Sequence, residues 1–231
     1  MRSNAVVIAI TQLLVLPNTV AAQKDSVSHI SRAWIIPVGI VAAAALDPEA
    51  REWTLNRHTR SLDHLAKSVN GLGTARHLVP AIVLTYASAL LTRHQSLTNG
   101  TLNAAAAYIA SDLVESALKP MIGRERPSIE GNSHRFRPFA ASGDWHSFPS
   151  AHVAHITSLA QAISMQVGSR PVTILSGSLV ALVAWDRVYE DQHWTSDVTA
   201  TAALSSVISE ATVKWLESHW PRSHDAEHNS R

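Results

Sequence analysis

The chain has 231 residues, 46% of them hydrophobic and 16% charged, so it fits one domain with a sizeable core and is not disordered as a whole. Its 19 Lys and Arg against 18 Asp and Glu leave a formal charge of +1, with no basic excess for general nucleic-acid binding. No cysteine is present, which excludes disulfides, thiolate catalysis and cysteine-held metals, while 13 histidines leave imidazole chemistry open.

In chain order, Arg2 is followed by an apolar run from Ala5 to Leu16, a break at Pro17-Asn18, and the small residues Val20-Ala21-Ala22. That layout predicts a secretory signal peptide over residues 1–22, since the run is too short for a comfortable membrane span. Its removal takes away Arg2 and no acid, leaving a mature chain of zero formal charge. Apolar stretches follow at Ala33–Leu46, Leu78–Leu91, Leu102–Leu118, Val153–Val167, Val172–Trp185 and Val198–Leu216. Their lengths and their Ala and Leu content predict helices. Residues 50–69 place Trp53, Leu55, Leu62, Leu65 and Val69 among charges, the pattern of one amphipathic helix, and Asn70-Gly71-Leu72-Gly73 reads as its stop.

The expectation is an all-α fold, a compact helical bundle of about six or seven helices over residues 23–220. Asp112, Glu115, Glu210 and Lys214 interrupt the apolar stretches, and none is a clean run of the ~20 apolar residues a span needs. A compact bundle is therefore expected ahead of a multi-span protein. Ser128 to Phe148 is rich in turn formers and long for an irregular connection, which marks it as functional. Residues 221–231 read as a flexible polar tail.

Three clusters carry chemistry. Lys119-Pro-Met-Ile-Gly-Arg-Glu-Arg126-Pro127 sets cations at a helix end, where they serve either as phosphate ligands or as a solvated basic terminus with Glu115–Lys119 as an i,i+4 pair. Phe148-Pro149-Ser150-Ala151-His152 opens an apolar helix with Ser150 as its N-cap, and the free N–H groups there attract anions. Asp186-Arg187 is followed by His193 and Asp197, spaced i,i+4, so that a helical carboxylate one turn away would fix the His193 tautomer.

Taken in order, Lys-x(6)-Arg-Pro, Pro-Ser-Ala-His and Asp-Arg-x(5)-His-x(3)-Asp resemble the three-part signature of the type-2 phosphatidic acid phosphatase superfamily, which also holds bacterial acid phosphatases and vanadium haloperoxidases. The resemblance covers about residues 105–205. Ala151 stands where the family usually has Gly, and Asp186 where it usually has Ser.

The resemblance implies that Lys119, Arg126 and Arg187 hold the phosphate oxygens, with Ser150 and the Ala151 N–H helping. His193 would attack phosphorus to form a phosphohistidine, Asp197 would orient it, and His152 would protonate the leaving alcohol and then activate water. No metal or other cofactor is implied, although vanadate or phosphate would fit the same cradle. Arg124 is expected to be peripheral, and His146 and His155 to be loop or packing residues.

The expected function is a metal-independent, exported phosphatase of the periplasm or envelope, acting on phosphomonoesters or pyrophosphates. A lipid substrate and membrane contact are left open, as is an integral membrane protein with an outward-facing site. A vanadate-dependent haloperoxidase and a non-catalytic helical envelope protein are the alternatives. Phe136, Phe139 and Trp145 would contact a lipid chain or pack the loop, and Arg135 or Arg137 would meet a second phosphate.

Overall fold

The computed structural model describes residues 29–220. The signal peptide read over residues 1–22 and the tail read over 221–231 lie outside the described residues. Within them the fold is all-α: α1 His29–Ala45, α2 Asp47–Leu55, α3 Arg60–Asn70, α4 Ala75–Leu91, α5 Gln95–Ile122, α6 Pro127–Glu130, α7 Ala151–Val167, α8 Arg170–Tyr189 and α9 Thr195–His219. Two short 3-10 turns, Gly71–Gly73 and Gly143–Trp145, complete it.

Each of the six apolar stretches forms one long helix: α1, α4, α5, α7, α8 and α9. The amphipathic segment expected as one helix is two. Asn56 ends α2 with its N–H on the Glu52 carbonyl. Thr59 is extended, and its hydroxyl accepts the Leu62 N–H at 3.3 Å to start α3. A hydroxyl N-cap satisfies an orphan donor and outweighs a continuous periodicity.

Helix α7 is central and packs against α5, α8 and α9. One apolar cluster joins Val69, Val153, Val180, Val183 and Val198; a second joins Ala107, Tyr108, Leu159, Ala162 and Val213. The buried residues are mostly small, and among the described residues 28 polar or charged ones are buried against 22 hydrophobic ones. Many of the hydroxyls bond locally, as in Thr101 to the Leu97 carbonyl (2.7 Å) and Thr199 to the Thr195 carbonyl (2.8 Å), or cross between helices, as in Ser209 to the Ser158 carbonyl (2.9 Å). Small residues with locally bonded hydroxyls let helices approach closely.

The outside is the reverse. Val41, Leu84, Leu102, Val167, Leu175 and Val207, one from each long helix, are all exposed. By length and composition α8 alone is long and apolar enough to cross a membrane among the described residues, and α3 with α4 would add a second if their 51° bend is one broken span.

The long helices alternate in direction. The end of α1, the start of α4, the end of α5, the start of α7, the end of α8 and the start of α9 meet at one end of the bundle. Asp47 there bonds Arg124 and Ser196, and Gly73 bonds His155. That end carries all three motifs.

Candidate active site

Helix α5 stops at Gly123, which has φ +60 and donates its N–H to the Lys119 carbonyl (2.9 Å). A Cβ at this position would lie 1.9 Å from the Arg137 carbonyl oxygen, so only glycine can make this turn. The chain then runs extended, with an isolated bridge between Arg124 and Phe136. Backbone bonds from Arg126 to the Asp144 carbonyl (2.8 Å) and from Ser147 to the Arg124 carbonyl (3.0 Å) fasten the 128–148 segment to it.

Lys119, in the last turn of α5, forms the i,i+4 ion pair with Glu115. Arg126 donates through Nε to the Gly143 carbonyl (2.9 Å) and through Nη1 to the Gln192 side chain (2.6 Å). Arg187, near the end of α8, donates through Nε and Nη2 to Oδ2 of Asp186 (2.8 and 2.5 Å), which is wholly buried. The residue that departs from the family signature thus pairs with its cationic neighbour. Lys119, Arg126 and Arg187 all act electrostatically on both His152 and His193, so the structure gathers the five around one point.

Ser150 occupies the N-cap of α7, but its hydroxyl does not cap the helix. Its N–H donates to the Thr201 hydroxyl (3.0 Å), while its own Oγ is buried without a partner. Nε2 of His152 is likewise buried and unpartnered. Among the buried side-chain atoms of the described residues that lack a partner, these two lie beside the free N–H groups of a helix start, where an anion would satisfy them. Ala151 opens α7 there, as expected.

His193 is buried, and its Nδ1 bonds the backbone carbonyl of Ser147, which leaves Nε2 with the lone pair. This corrects the expectation that Asp197 orients His193 directly. His193 precedes α9, so the i,i+4 geometry does not apply. Asp197 turns back to accept the Trp194 N–H (3.0 Å), a helix-start bond, and also accepts the Ser147 hydroxyl (2.5 Å). Asp197 therefore acts on His193 through Ser147. Burial, reinforced by Arg126, Lys119 and Arg187, pushes the His193 imidazole well below its usual 6.5 against the opposing pull of the Ser147 carbonyl, so it is neutral at neutral pH.

Arg124 is not peripheral. It is buried, and its guanidinium bridges Asp197 (2.5 Å) and Asp47 (2.8 Å) while also donating to the Ser196 hydroxyl (2.8 Å) and the Ser133 carbonyl (2.9 Å). Asp47 accepts from the Ser196 N–H (2.8 Å) and hydroxyl (2.6 Å). Asp47, Ser147 and Ser196 were not singled out from sequence. Asp47 lies far from the motifs along the chain, and no local spacing announces the contact. Outside this network, Arg51 forks onto Asp191 (2.7 and 2.8 Å), tying α2 to the loop that carries His193.

Arg135 pairs with Glu125 and Glu130, so it is occupied rather than waiting for a second phosphate. Its guanidinium lies 5.4 Å from the Trp145 ring. Phe136 and Phe139 are exposed and do not pack the loop down. His146 bonds the Ala140 carbonyl (2.9 Å), and His155 is buried in α7, as packing and loop roles require.

A family model described as the PAP2 superfamily matches residues 100–221. Among solved structures, the chain is similar to a transmembrane PAP2-type phosphatidylglycerolphosphate phosphatase from Bacillus subtilis. The TM-score is 0.63 at 21% identity, covering 81% of this chain and 96% of that one. It is also similar to LpxE from Aquifex aeolicus, with a TM-score of 0.59 at 19% identity, covering 73% of this chain and 95% of that one. No curated protein gives a significant match.

Proposed function

Because the chain belongs to the PAP2 superfamily, we propose that it is a lipid phosphate phosphatase seated in a membrane, working through a phosphohistidine. The observation that carries this is the convergence of three cations and two orphan buried polar atoms, Ser150 Oγ and His152 Nε2, around a neutral His193.

The substrate phosphate binds between Lys119, Arg126 and Arg187, with Ser150 Oγ and the first N–H groups of α7 on its remaining oxygens. The His193 Nε2 lone pair attacks phosphorus and forms a P–N bond as the P–O ester bond breaks. His152 gives a proton to the departing alkoxide, so the alcohol leaves neutral. Water then attacks the phosphohistidine from the vacated side and loses a proton to His152. The P–N electrons return to Nε2, and inorganic phosphate departs. The cations and the helix end stabilise the charge that spreads over the phosphoryl oxygens, so this route calls on no metal.

Membrane seating is supported by the inverted distribution of polarity: a polar, small-residue interior and apolar outward faces. α4 has no charged side chain after Arg76, and α7 has none. Helices of 17–28 residues run about 26–42 Å at 1.5 Å per residue, from the short limit for a ~30 Å hydrocarbon layer upward. Three of the six, α1, α4 and α7, have 17 residues and sit at the short limit for a span, while α5 and α9 carry Ser, Thr and charged residues along their length. The likeness to a transmembrane phosphatidylglycerolphosphate phosphatase agrees.

The test is phosphate release from phosphatidylglycerol phosphate, phosphatidate, a polyprenyl pyrophosphate and a soluble alkyl phosphate, in mixed micelles, alongside His193→Ala. Hydrolysis of a lipid phosphate is expected, with a loss on the order of a thousandfold or more in the variant. Full activity in His193→Ala would refute the mechanism. Recovery of the protein in an alkaline-washed soluble fraction would refute the membrane seating.

A further inference from the structure

The Gly71–Gly73 turn, which lies outside the segment matched to the family, leans directly on His152. A Cβ at Gly73 would lie 2.7 Å from His152 Cβ and 2.9 Å from both its Cα and its ring Cδ2. Backbone as well as side chain blocks it, so nothing flexible can give way. The Gly73 backbone is the wall against which the His152 ring stands.

That wall is fastened from α7 itself. His155, three residues after His152 and so on the neighbouring face of the helix, bonds the Gly73 carbonyl through Nδ1 (3.0 Å). Its Nε2 meets Asp112 of α5 at 2.7 Å, and its ring lies 4.6 Å from that of Tyr108. On the other side, the Thr74 hydroxyl (2.8 Å) and His77 Nδ1 (3.0 Å) hold the Gly71 carbonyl. His155 is thus a buried side chain with both ring nitrogens committed, tying α5 to the turn.

We propose that His155, held by Asp112, is a positioning residue that clamps the Gly71–Gly73 turn against His152 and so directs His152 Nε2 at the phosphate site. This rests on the reading of His152 as the proton donor. His152 Nε2 has no hydrogen-bond partner of its own, so packing against Gly73 is what fixes its direction. A loosened clamp leaves phosphate binding and the attack of His193 in place and impairs the proton transfers at His152: to the leaving oxygen in the first half-reaction, and from water in the second, which is common to all esters.

The consequence is a dependence on leaving group that a general packing defect would not produce. An alkyl phosphate needs its leaving oxygen protonated, whereas 4-nitrophenyl phosphate departs as a stable phenolate. His155→Leu removes the bond to Gly73, His155→Asn keeps a donor near the Nδ1 position, and Gly73→Ala drives a methyl into His152. In His155→Leu and Gly73→Ala, kcat/KM for an alkyl lipid phosphate, which reports the formation of the phosphohistidine, is expected to fall by about ten- to a hundredfold, while kcat/KM for the aryl ester loses less than about threefold. His155→Asn should recover most of the alkyl activity.

His152→Ala calibrates the experiment. If it shows no split between the two esters, the proton-donor reading itself falls. If it shows the split and folded His155→Leu does not, the clamp is overturned while the function stands. Should His155→Leu and Gly73→Ala not accumulate as folded protein, Asp112→Asn decides: a split supports the clamp, and equal effects on both esters overturn it.

Discussion

The two histidines of the site are supported in opposite ways. His193 rests on a dense, buried, charged lattice in which Asp47, Arg124, Asp197, Ser196 and Ser147 bond one another before one carbonyl reaches the ring. His152 has no polar partner at Nε2 and stands against a glycine wall. In the proposed mechanism His193 approaches phosphorus in line, which suits a lone pair fixed by bonds on the far side of the ring. In the same mechanism His152 faces first an alkoxide and then a water in the same place, which suits a working nitrogen left free. The lattice should therefore govern stability and nucleophilicity together, and the wall should govern proton transfer alone.

The largest break on the lattice side is Arg124→Ala. It strands two fully buried carboxylates, Asp47 and Asp197, without their shared cation. Removing one partner of a buried ion pair costs about 3–5 kcal/mol, and activity should be lost with it as Ser147 drifts. Denaturant unfolding in detergent micelles measures the first effect. Arg124→Ala with parental stability would show that the lattice is idle. Asp47→Asn, which keeps one acceptor for the Ser196 N–H and leaves Arg124 paired with Asp197, should cost less.

Ser150→Ala sharpens the contrast, because the Ser150 hydroxyl serves no protein group. Stability should be unchanged, while kcat falls on the order of a hundredfold through loss of one donor to the transition state. A loss of stability without one of rate would mean that the hydroxyl caps α7 after all.

The pH profile separates the two histidines further. The reactive form of His193 is the neutral one, and its folded pKa lies well below 6.5. The nucleophile therefore stays competent as pH falls through 6.5 and is lost only when pH reaches the depressed folded value. The acid limb of kcat/KM attributable to His193 should lie correspondingly low. Arg126→Gln removes the largest of the charges that depress it, so the limb should move upward, toward 6.5. An unmoved limb would assign the depression to burial alone.

Much of this was legible in the chain. The six long helices follow the apolar stretches, and the motif residues Lys119, Arg126, Ser150, His152, Arg187 and His193 meet at one end of the bundle. What escaped was tertiary. Arg124 read as a spare cation because nothing local shows that Gly123 turns the chain so that it points inward, onto Asp47 from a distant helix. Asp197 read as the partner of His193 because a helical spacing was assumed where the helix begins two residues later, and its bond to the Trp194 N–H took precedence. The charges that interrupt the apolar stretches counted against a membrane. Of these, Glu115 is buried and paired with Lys119, Asp112 reaches His155, and Glu210 pairs with Lys214 on the outside.

The smallest effect concerns Asp186, the acid that stands where the family usually has Ser. Its Oδ2 takes both Nε and Nη2 of Arg187, while Oδ1 is buried with no partner. It can act by geometry, holding the guanidinium edge so that Nη1 faces the phosphate, or by charge, damping the pull of Arg187 on an anion. Asp186→Asn keeps an acceptor and removes the charge; Asp186→Ala removes both. If charge matters, KM for the phosphate ester drops several-fold in Asp186→Asn, because Arg187 is no longer neutralised, and kcat is nearly kept. If geometry matters, Asp186→Asn resembles the parent and Asp186→Ala loses kcat. Hydrogen bonds to charged groups contribute about 1.5–3 kcal/mol, so the geometric outcome should reach about tenfold or more in kcat, whereas the charge outcome stays below it. We expect the charge outcome, since the buried Oδ1 leaves the carboxylate poorly satisfied and Oδ2 takes both of its hydrogen bonds from Arg187.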